Sequence, residues 1–358
     1  MRASSSILLS TCGMATALLG SESYLFPAGQ VHAPTEADSR VGLRAFDGPH
    51  INANNGSAYQ WWYFDAVAKD SSAAVVAQFY PGWFPESNGV LLNLVWPNGS
   101  TYYEVIPAGA LQLTTVGDSS QGYADDAAMT WFGSSDLSTY HVTLNLPQVG
   151  VSGKITLQSK ASPRVAGGLK RPGASFDFAP FLYWANTIPD SNVTVDLVVN
   201  GTNLSFTGAG YHDQNWGLAN FAHRLTQWYW GHTSVGNYSL VFFYHLDESQ
   251  NVTSSAFLAE NGKPLATGFS NTKVTPQGPN VSVPVKARAD IESWIIEVED
   301  LKRRKYVFTL ENKVASATDA EVYQRWVGIT TGGQVGGLNS TGPAIVELMH
   351  NPELVLVA

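Results

Sequence analysis

The sequence predicts an all-β protein built as two antiparallel β lobes, each a sandwich or barrel, and three observations carry that expectation. Charged residues make up only 14% of the 358-residue chain, below the usual quarter or so, while Gly occurs 33 times and aromatic residues reach 12%. Short runs rich in Val, Phe, Tyr and Trp are separated by Gly-, Asn-, Asp- and Ser-bearing turns. Finally, Gln60-Trp-Trp-Tyr63 and Gln227-Trp-Tyr-Trp230 each open a long hairpin, which points to an internal duplication. A chain of this length favours two cores over one.

At the N-terminus, Arg2, an apolar run over 7–19 and Gly20-Ser-Glu-Ser23 fit a cleavable signal peptide over residues 1–23. Nine Asn-x-Ser/Thr triplets, at Asn55, Asn98, Asn192, Asn200, Asn203, Asn237, Asn251, Asn280 and Asn339, suit passage through the secretory pathway and N-glycans as partners. The single cysteine, Cys12, leaves with the signal, so the mature chain has no thiol nucleophile, disulfide or cysteine metal site.

The first lobe is expected over 24–207. An aperiodic lead-in over 24–55 precedes a hairpin of strands at 60–67 and 74–80. Alternation puts Trp61, Tyr63 and Asp65 on one face and Trp62, Phe64 and Ala66 on the other, so both faces are covered. Further strands are expected at 89–95, 101–106, 110–115, 128–132, 140–146, 154–158 and 193–199, joined by turn clusters. Residues 163–180 read as a loop, and the aromatic run 176–184 as a segment folding over something apolar.

The second lobe is expected over 208–358. It opens on Gly208-Ala-Gly-Tyr-His-Asp-Gln-Asn-Trp-Gly217, placed at the lobe junction, and continues in the second hairpin. A two-residue turn at Gly236-Asn237 sets Val235 opposite Tyr238. Counting back pairs His232 with Val241, Trp230 with Phe243 and Trp228 with His245 on one face. Strands at 256–260, 283–289, 294–299, 305–311, 322–329 and 344–349 complete it.

A net charge of −9 leaves no basic footprint, which excludes nucleic-acid binding; nothing in the mature chain suggests membrane insertion. Gly-rich phosphate loops, His-Glu-x-x-His and Gly-x-Ser-x-Gly are absent, and the histidines lack close metal spacing, so no metal site and no classical esterase chemistry are expected. Residues 208–217 combine His212, Asp213, Asn215 and Trp216 between glycines that permit positive φ. They form either a cluster of hydrogen-bonding groups or a tight turn that satisfies its own backbone. Trp61, Tyr63, Trp228, Trp230, Phe243, His232 and His245 either line a cavity for an apolar ligand or pack the core.

Trp61-Trp-Tyr-Phe-Asp65, the stretch from Gly208 to Gly217, and a Gly-rich approach to the last strand over 332–349 resemble the double-lipocalin superfamily. That superfamily holds carotenoid 1,2-hydratases, AttH-like proteins and the fungal lipocalin-type Diels–Alderases. The hydratases show an Asp-His-x-Trp-like junction where this chain has His212-Asp-Gln-Asn-Trp216, a departure that argues against hydration. The resemblance implies two lipocalin-like lobes, a pocket between or within them, no cofactor, and a pericyclase acting on a small apolar, polyene or terpenoid substrate. Aromatic walls that include Tyr183, Trp184 and Trp216 would hold the reacting ends together. His212, Asn215, Tyr63 or Tyr183 would polarise the electron-poor partner. A narrower version joins a tropolone-derived quinone methide to a humulene-type sesquiterpene after assisted dehydration, with His212 and Asp213 as acid–base pair. A terpenoid hydratase or isomerase and a non-catalytic carrier of an apolar metabolite are the other readings.

Protein made in its native host is expected to lose mass on enzymatic deglycosylation; an unchanged mass removes the secretory reading.

Overall fold

The computed structural model describes residues 21–351 apart from 85–86, 126–128, 221–223, 287 and 320. Most of the expected signal segment, with Cys12, and His223 lie outside the described residues. The described chain forms two antiparallel sheets and one short 3-10 turn, Pro147–Val149, with no α-helix among the described residues.

The main path of the first sheet runs Ser23–Phe26, Leu111–Val116, Ser119–Ala124, Met129–Gly133, Thr139–Leu146, Val151–Ser159, Leu182–Val199, Thr202–Gly217, Tyr59–Ala68, Ala74–Phe84, Ser87–Val95 and Thr101–Ala108. It curls on itself. Phe26, at one edge, meets Trp62 near the other end at 6.5 Å, and Trp131 reaches both Trp62 at 5.5 Å and Phe79 at 6.0 Å. The enclosed face is one apolar core containing Trp62, Phe64, Leu92, Val142 and Val195. The second sheet runs Lys263–Ala266, Val252–Glu260, Tyr238–Leu246, Gln227–Val235, Ser340–His350, Tyr323–Gln334, Lys305–Asp319, Ser293–Glu299 and Thr272–Gln277. It closes over Tyr229, Phe242, Trp294, Phe308 and Leu348.

A third apolar layer lies between the sheets, where Trp61 and Tyr63 of the first hairpin face Trp228, Trp230 and Phe243 of the second. The second hairpin has the register that its turn predicts, Val235 opposite Tyr238 and His232, Trp230 and Trp228 opposite Val241, Phe243 and His245. Its turn residue Asn237 is exposed.

The stretch 208–217 is neither a junction nor a turn. It is the second half of strand Thr202–Gly217, paired with Tyr59–Ala68 on one side and Leu182–Val199 on the other. The first sheet therefore runs through Gly217, past the boundary expected at 207. Its glycines serve closeness rather than positive φ. A Cβ on Gly208 would sit 1.8 Å from the Val67 carbonyl oxygen, and one on Gly210 2.9 Å from that of Asp65. The expected strand at 193–199 begins at Leu182 and absorbs part of the aromatic loop. No strand forms among the described residues of 283–289, where Pro284 offers no N–H to a ladder; Thr272–Gln277 forms the sheet edge instead.

Inside the first core, His212 lies flat on Phe64, ring centroids 4.0 Å apart. Its Nδ1 is 2.9 Å from the Tyr63 carbonyl oxygen and its Nε2 2.9 Å from Asp47 Oδ1. Asp47 also accepts from Ser120, Tyr140, Thr187 and Gln214 at 2.6, 2.6, 3.1 and 2.6 Å. Burial alone would raise the pKa of this carboxyl, but the His212 charge and these hydrogen bonds outweigh it and hold the pKa below the ordinary range. With a depressed folded pKa, the stabilisation is complete above the unfolded value near 4 and is lost as pH falls through the folded one.

His212→Ala leaves Asp47 buried with its charge uncompensated, so the expected loss is about 3–5 kcal/mol in urea unfolding at pH 7, with ligand binding in the inter-sheet cavity described below unchanged. A loss below about 1 kcal/mol removes the structural role.

Candidate active site

Between the sheets lies a cavity of about 710 Å³. Trp61, Tyr63, Gln78 and Tyr80 of the first hairpin form one wall, and Trp228, Trp230 and Phe243 of the second form another. Asp213 and Asn215 face in from strand Thr202–Gly217, and Tyr323, Arg325 and Glu347 from the last two strands. The hairpins meet through duplicated positions. Tyr63 is edge-on to Trp230 at 5.3 Å, and Asp65 bonds His232 Nε2 through both oxygens at 2.9 Å, across a sequence offset of 167 that also relates Gln60 to Gln227 and Trp61 to Trp228.

Asp213 is a buried carboxyl of this cavity. Its Oδ2 accepts from Trp184 Nε1 at 2.8 Å and from Tyr211 Oη at 2.7 Å. Burial pushes the carboxyl up to about 7, against the opposing pull of those two hydrogen bonds and of His212, while Glu347 adds to the rise. A large fraction is therefore neutral near pH 7 and able to donate a hydrogen bond. Asn215 Nδ2 donates to the Tyr183 carbonyl at 3.1 Å. Tyr63 Oη and Trp230 Nε1 are buried with no hydrogen-bond partner among the described residues, which leaves two polar groups at the wall for a ligand. The Tyr63 and Tyr80 hydroxyls are pushed well above their ordinary values by burial and stay protonated.

Opposite stands an ion pair. Arg325 donates to Glu347 Oε1 from Nε at 2.8 Å, with Nη2 also 2.8 Å from that oxygen, and from Nη1 to Asn93 Oδ1 at 3.1 Å. Burial disfavours its charge, but Tyr323 and Glu347 beside it hold the guanidinium protonated.

Seven of the residues proposed from sequence line the cavity: Asp213, Asn215, Trp61, Tyr63, Trp228, Trp230 and Phe243. The others do not. His212 and Trp216 point the opposite way, because successive side chains of a strand alternate faces; His212 therefore cannot share a substrate with Asp213. Trp216 stacks on His50 at 4.0 Å within the first core, and Tyr183 stacks on Trp216 at 5.7 Å. Trp184 stands behind the wall, holding Asp213. His232 is consumed by Asp65. His245 packs edge-on to Phe178 at 6.4 Å, and burial pushes its imidazole down to about 4, so it is neutral at pH 7.

Sequence reasoning missed Gln78, Tyr80, Tyr103, Arg325 and Glu347 among the lining residues. Arg325 and Glu347 had a signal, since each is a charge inside an apolar strand, and the ladder sets them directly opposite one another.

Fold and cavity define a lipocalin-like protein of two sheets that encloses a small-molecule site lined by aromatic side chains and a buried carboxyl, Asp213. The family described as Diels-Alderase-like matches residues 34–352, and the chain belongs to it. It is a pericyclase-family enzyme, as the resemblance of its motifs implies. A quinolone epoxide rearrangement protein of Penicillium thymicola, penF, is 31% identical over 323 residues, covering 84% of this chain and 86% of that protein. The Diels-Alderase poxQ of Penicillium oxalicum is 25% identical over 311 residues, covering 81% of this chain and 69% of its own length. In fold, the chain is similar to CghA with Sch210972, with a TM-score of 0.77 at 19% identity over 92% of this chain and 98% of that one.

With its folded pKa raised, Asp213 favours the folded state fully below the unfolded value near 4, and that contribution is lost as pH rises to about 7. Urea unfolding of the wild type is expected to lose up to about 1.4 kcal/mol per pH unit across this window relative to Asp213→Asn. Parallel stability profiles contradict the assignment.

Proposed function

We propose that the protein catalyses a cycloaddition in the inter-sheet cavity between an apolar diene or polyene and a carbonyl-activated partner. The observation that carries this reading is a buried carboxyl, Asp213, set in an aromatic wall and held by Trp184 and Tyr211, with its pKa pushed up to about 7. The aromatic side chains fold the chain so that its reacting ends approach, and a cycloaddition needs little beyond that. Asp213, with Tyr63 and Trp230 as further donors, hydrogen-bonds the carbonyl oxygen and lowers the energy of its electron-poor partner. The pairing of a tropolone-derived quinone methide with a humulene-type sesquiterpene fits the same donors and walls. In its dehydrating form, Asp213 alone supplies the proton, because His212 is on the other face.

A second reading has the same acid as its support. A neutral carboxyl in an apolar cavity can protonate an epoxide oxygen, and the relative from Penicillium thymicola is named for epoxide rearrangement. We further propose that the protein passes through the secretory pathway. In support, eight sequon asparagines, Asn98, Asn192, Asn200, Asn203, Asn237, Asn251, Asn280 and Asn339, are exposed, while Asn55 is half-buried.

The two chemistries part at Asp213→Asn, whose amide still donates a hydrogen bond but holds no transferable acid proton. Product ratios and rates are measured with a carbonyl-activated polyene and with an aryl epoxide, with and without enzyme. For cycloaddition, Asp213→Asn retains most of the rate and Asp213→Ala loses about 10- to 100-fold. For rearrangement, both variants lose about 100-fold or more. Full activity of Asp213→Ala with both substrates ends both readings.

A further inference from the structure

Arg164 is a fully buried cation without a counterion among the described residues. It sits in the short strand Arg164–Val165, whose ladder to Leu182–Val199 sets Arg164 opposite Asn186. Its Nη2 donates to Ser255 Oγ of the second sheet at 2.8 Å and its Nε to the adjacent Val165 carbonyl at 3.2 Å. No carboxylate pairs with it among the described residues, and Nη1 has no partner there. A buried charge satisfied only by neutral groups is costly, and an apolar side chain of similar volume would serve stability better. Stability alone is a poor reason for this arginine.

The guanidinium lies over the Trp184 ring at 4.7 Å and, more distantly, over that of Phe257 at 5.7 Å. The same indole is flanked edge-on by Phe178 at 5.6 Å and Phe243 at 5.0 Å, so its plane is fixed from several sides, and its Nε1 reaches Asp213. Asn186 faces both Arg164 and Asp213 across the ladders and donates from Nδ2 to Tyr211 Oη at 2.7 Å. Tyr211 then donates to Asp213. Both hydrogen bonds to the carboxyl thus end on Oδ2. An oxygen already accepting two N–H or O–H groups is the poorer place for a proton, which leaves Oδ1 to carry it.

We propose that Arg164 is a positioning residue for the reaction. By clamping the Trp184 ring it keeps the indole N–H on Asp213 Oδ2, and so places the acid proton on Oδ1, the oxygen that accepts neither of these hydrogen bonds. The inference rests on Asp213 being the acid of the site, and extends it to how that proton is aimed.

The test reads the indole N–H resonances of the ¹⁵N-labelled full chain through a pH titration, with the Trp184 signal assigned by its loss in Trp184→Phe. In the wild type this resonance follows the Asp213 midpoint near pH 7 and is protected from exchange. In Arg164→Met it loses protection, and the midpoint, read by the carboxylic-acid carbonyl stretch absent from Asp213→Asn, rises by about one pH unit because the ionised form has lost a donor. Arg164→Lys keeps a cation over the ring and restores the midpoint to within a few tenths of a unit. An Arg164→Met protein that melts like the wild type with an unchanged Trp184 signal and midpoint overturns the proposal. Where Arg164→Met does not fold, Ser255→Ala removes the anchor of Nη2 and carries the same decision: an upward shift supports the clamp, an unchanged midpoint overturns it. Because the readout is the proton itself, the two failures are distinguishable: full turnover by Asp213→Ala ends the functional reading and with it any part for Arg164 in the reaction, whereas an unmoved midpoint in Arg164→Met ends the clamp alone.

Discussion

The period of two along strands Tyr59–Ala68 and Thr202–Gly217 is the constraint on which the rest of the molecule depends. These neighbours form a wall shared by two interiors, the first core on one side and the cavity on the other. Trp62, Phe64, His212, Gln214 and Trp216 face the core. Trp61, Tyr63, Asp213 and Asn215 face the cavity. A slip of one residue would exchange the two sets, taking Asp213 into the core away from Trp184 and Tyr211 and turning His212 and Gln214 into the cavity away from Asp47. The polar residues on the core side prevent that slip. Gln214 Nε2 reaches Asp47 at 2.6 Å, and Gln60 Nε2 donates to Gln214 Oε1 at 2.5 Å while its own Oε1 takes the backbone N–H groups of His50 and Ile51. A satisfied buried network is specific because each partner is costly to lose.

The second constraint is the meeting of duplicated hairpins. Equivalent strands from two lobes lie face to face, so the offset that relates Gln60 to Gln227 also relates Asp65 to the His232 it binds. Gln227 repeats the pinning role in its own lobe, with Oε1 accepting the Val285 N–H at 2.8 Å. Around the cavity the sheets are joined by further polar links. Asn93 Nδ2 donates to the Ser316 carbonyl at 2.7 Å while Oδ1 accepts from Arg325, and Ser71 Oγ donates to the Gly328 carbonyl at 2.7 Å. Apolar contact between sheets would tolerate sliding. Directional bonds fix one relative position, and a site built from both sheets needs that.

Strands whose apolar residues alternate were legible in the sequence, as was the register of a hairpin closed by Gly236-Asn237. The stretch from Gly208 to Gly217 was conspicuous but misread, because glycine and carboxamide density is turn chemistry unless neighbouring strands satisfy it, and those neighbours are distant in sequence. Adjacency misled in the same place. His212 and Asp213 look like a pair along the chain and are on opposite sides of a sheet in space. Asp47 was invisible in an aperiodic lead-in, since only the curl of the sheet brings it to His212. Arg325 and Glu347 become a pair only through a ladder register that local sequence does not encode.

That ion pair explains why an acid with a pKa near neutrality can exist in a cavity that also contains an arginine. A free guanidinium facing Asp213 would stabilise its ionised form and return it to the ordinary carboxylate range. Arg325 instead faces Glu347 through Nε and Nη2 and Asn93 through Nη1, so its charge is cancelled within its own strand pair. Glu347 contributes to the rise in Asp213, acting as a like charge across the cavity. A buried histidine could not take the same part. Burial stabilises the neutral form of either group, but the neutral carboxyl is the acid and the neutral imidazole is the base, as His245 illustrates by falling to about 4 in its own apolar setting. An apolar cavity that must donate a proton or a strong hydrogen bond near neutral pH is therefore better served by a carboxyl held by neutral donors, and Trp184 with Tyr211 supply those donors here.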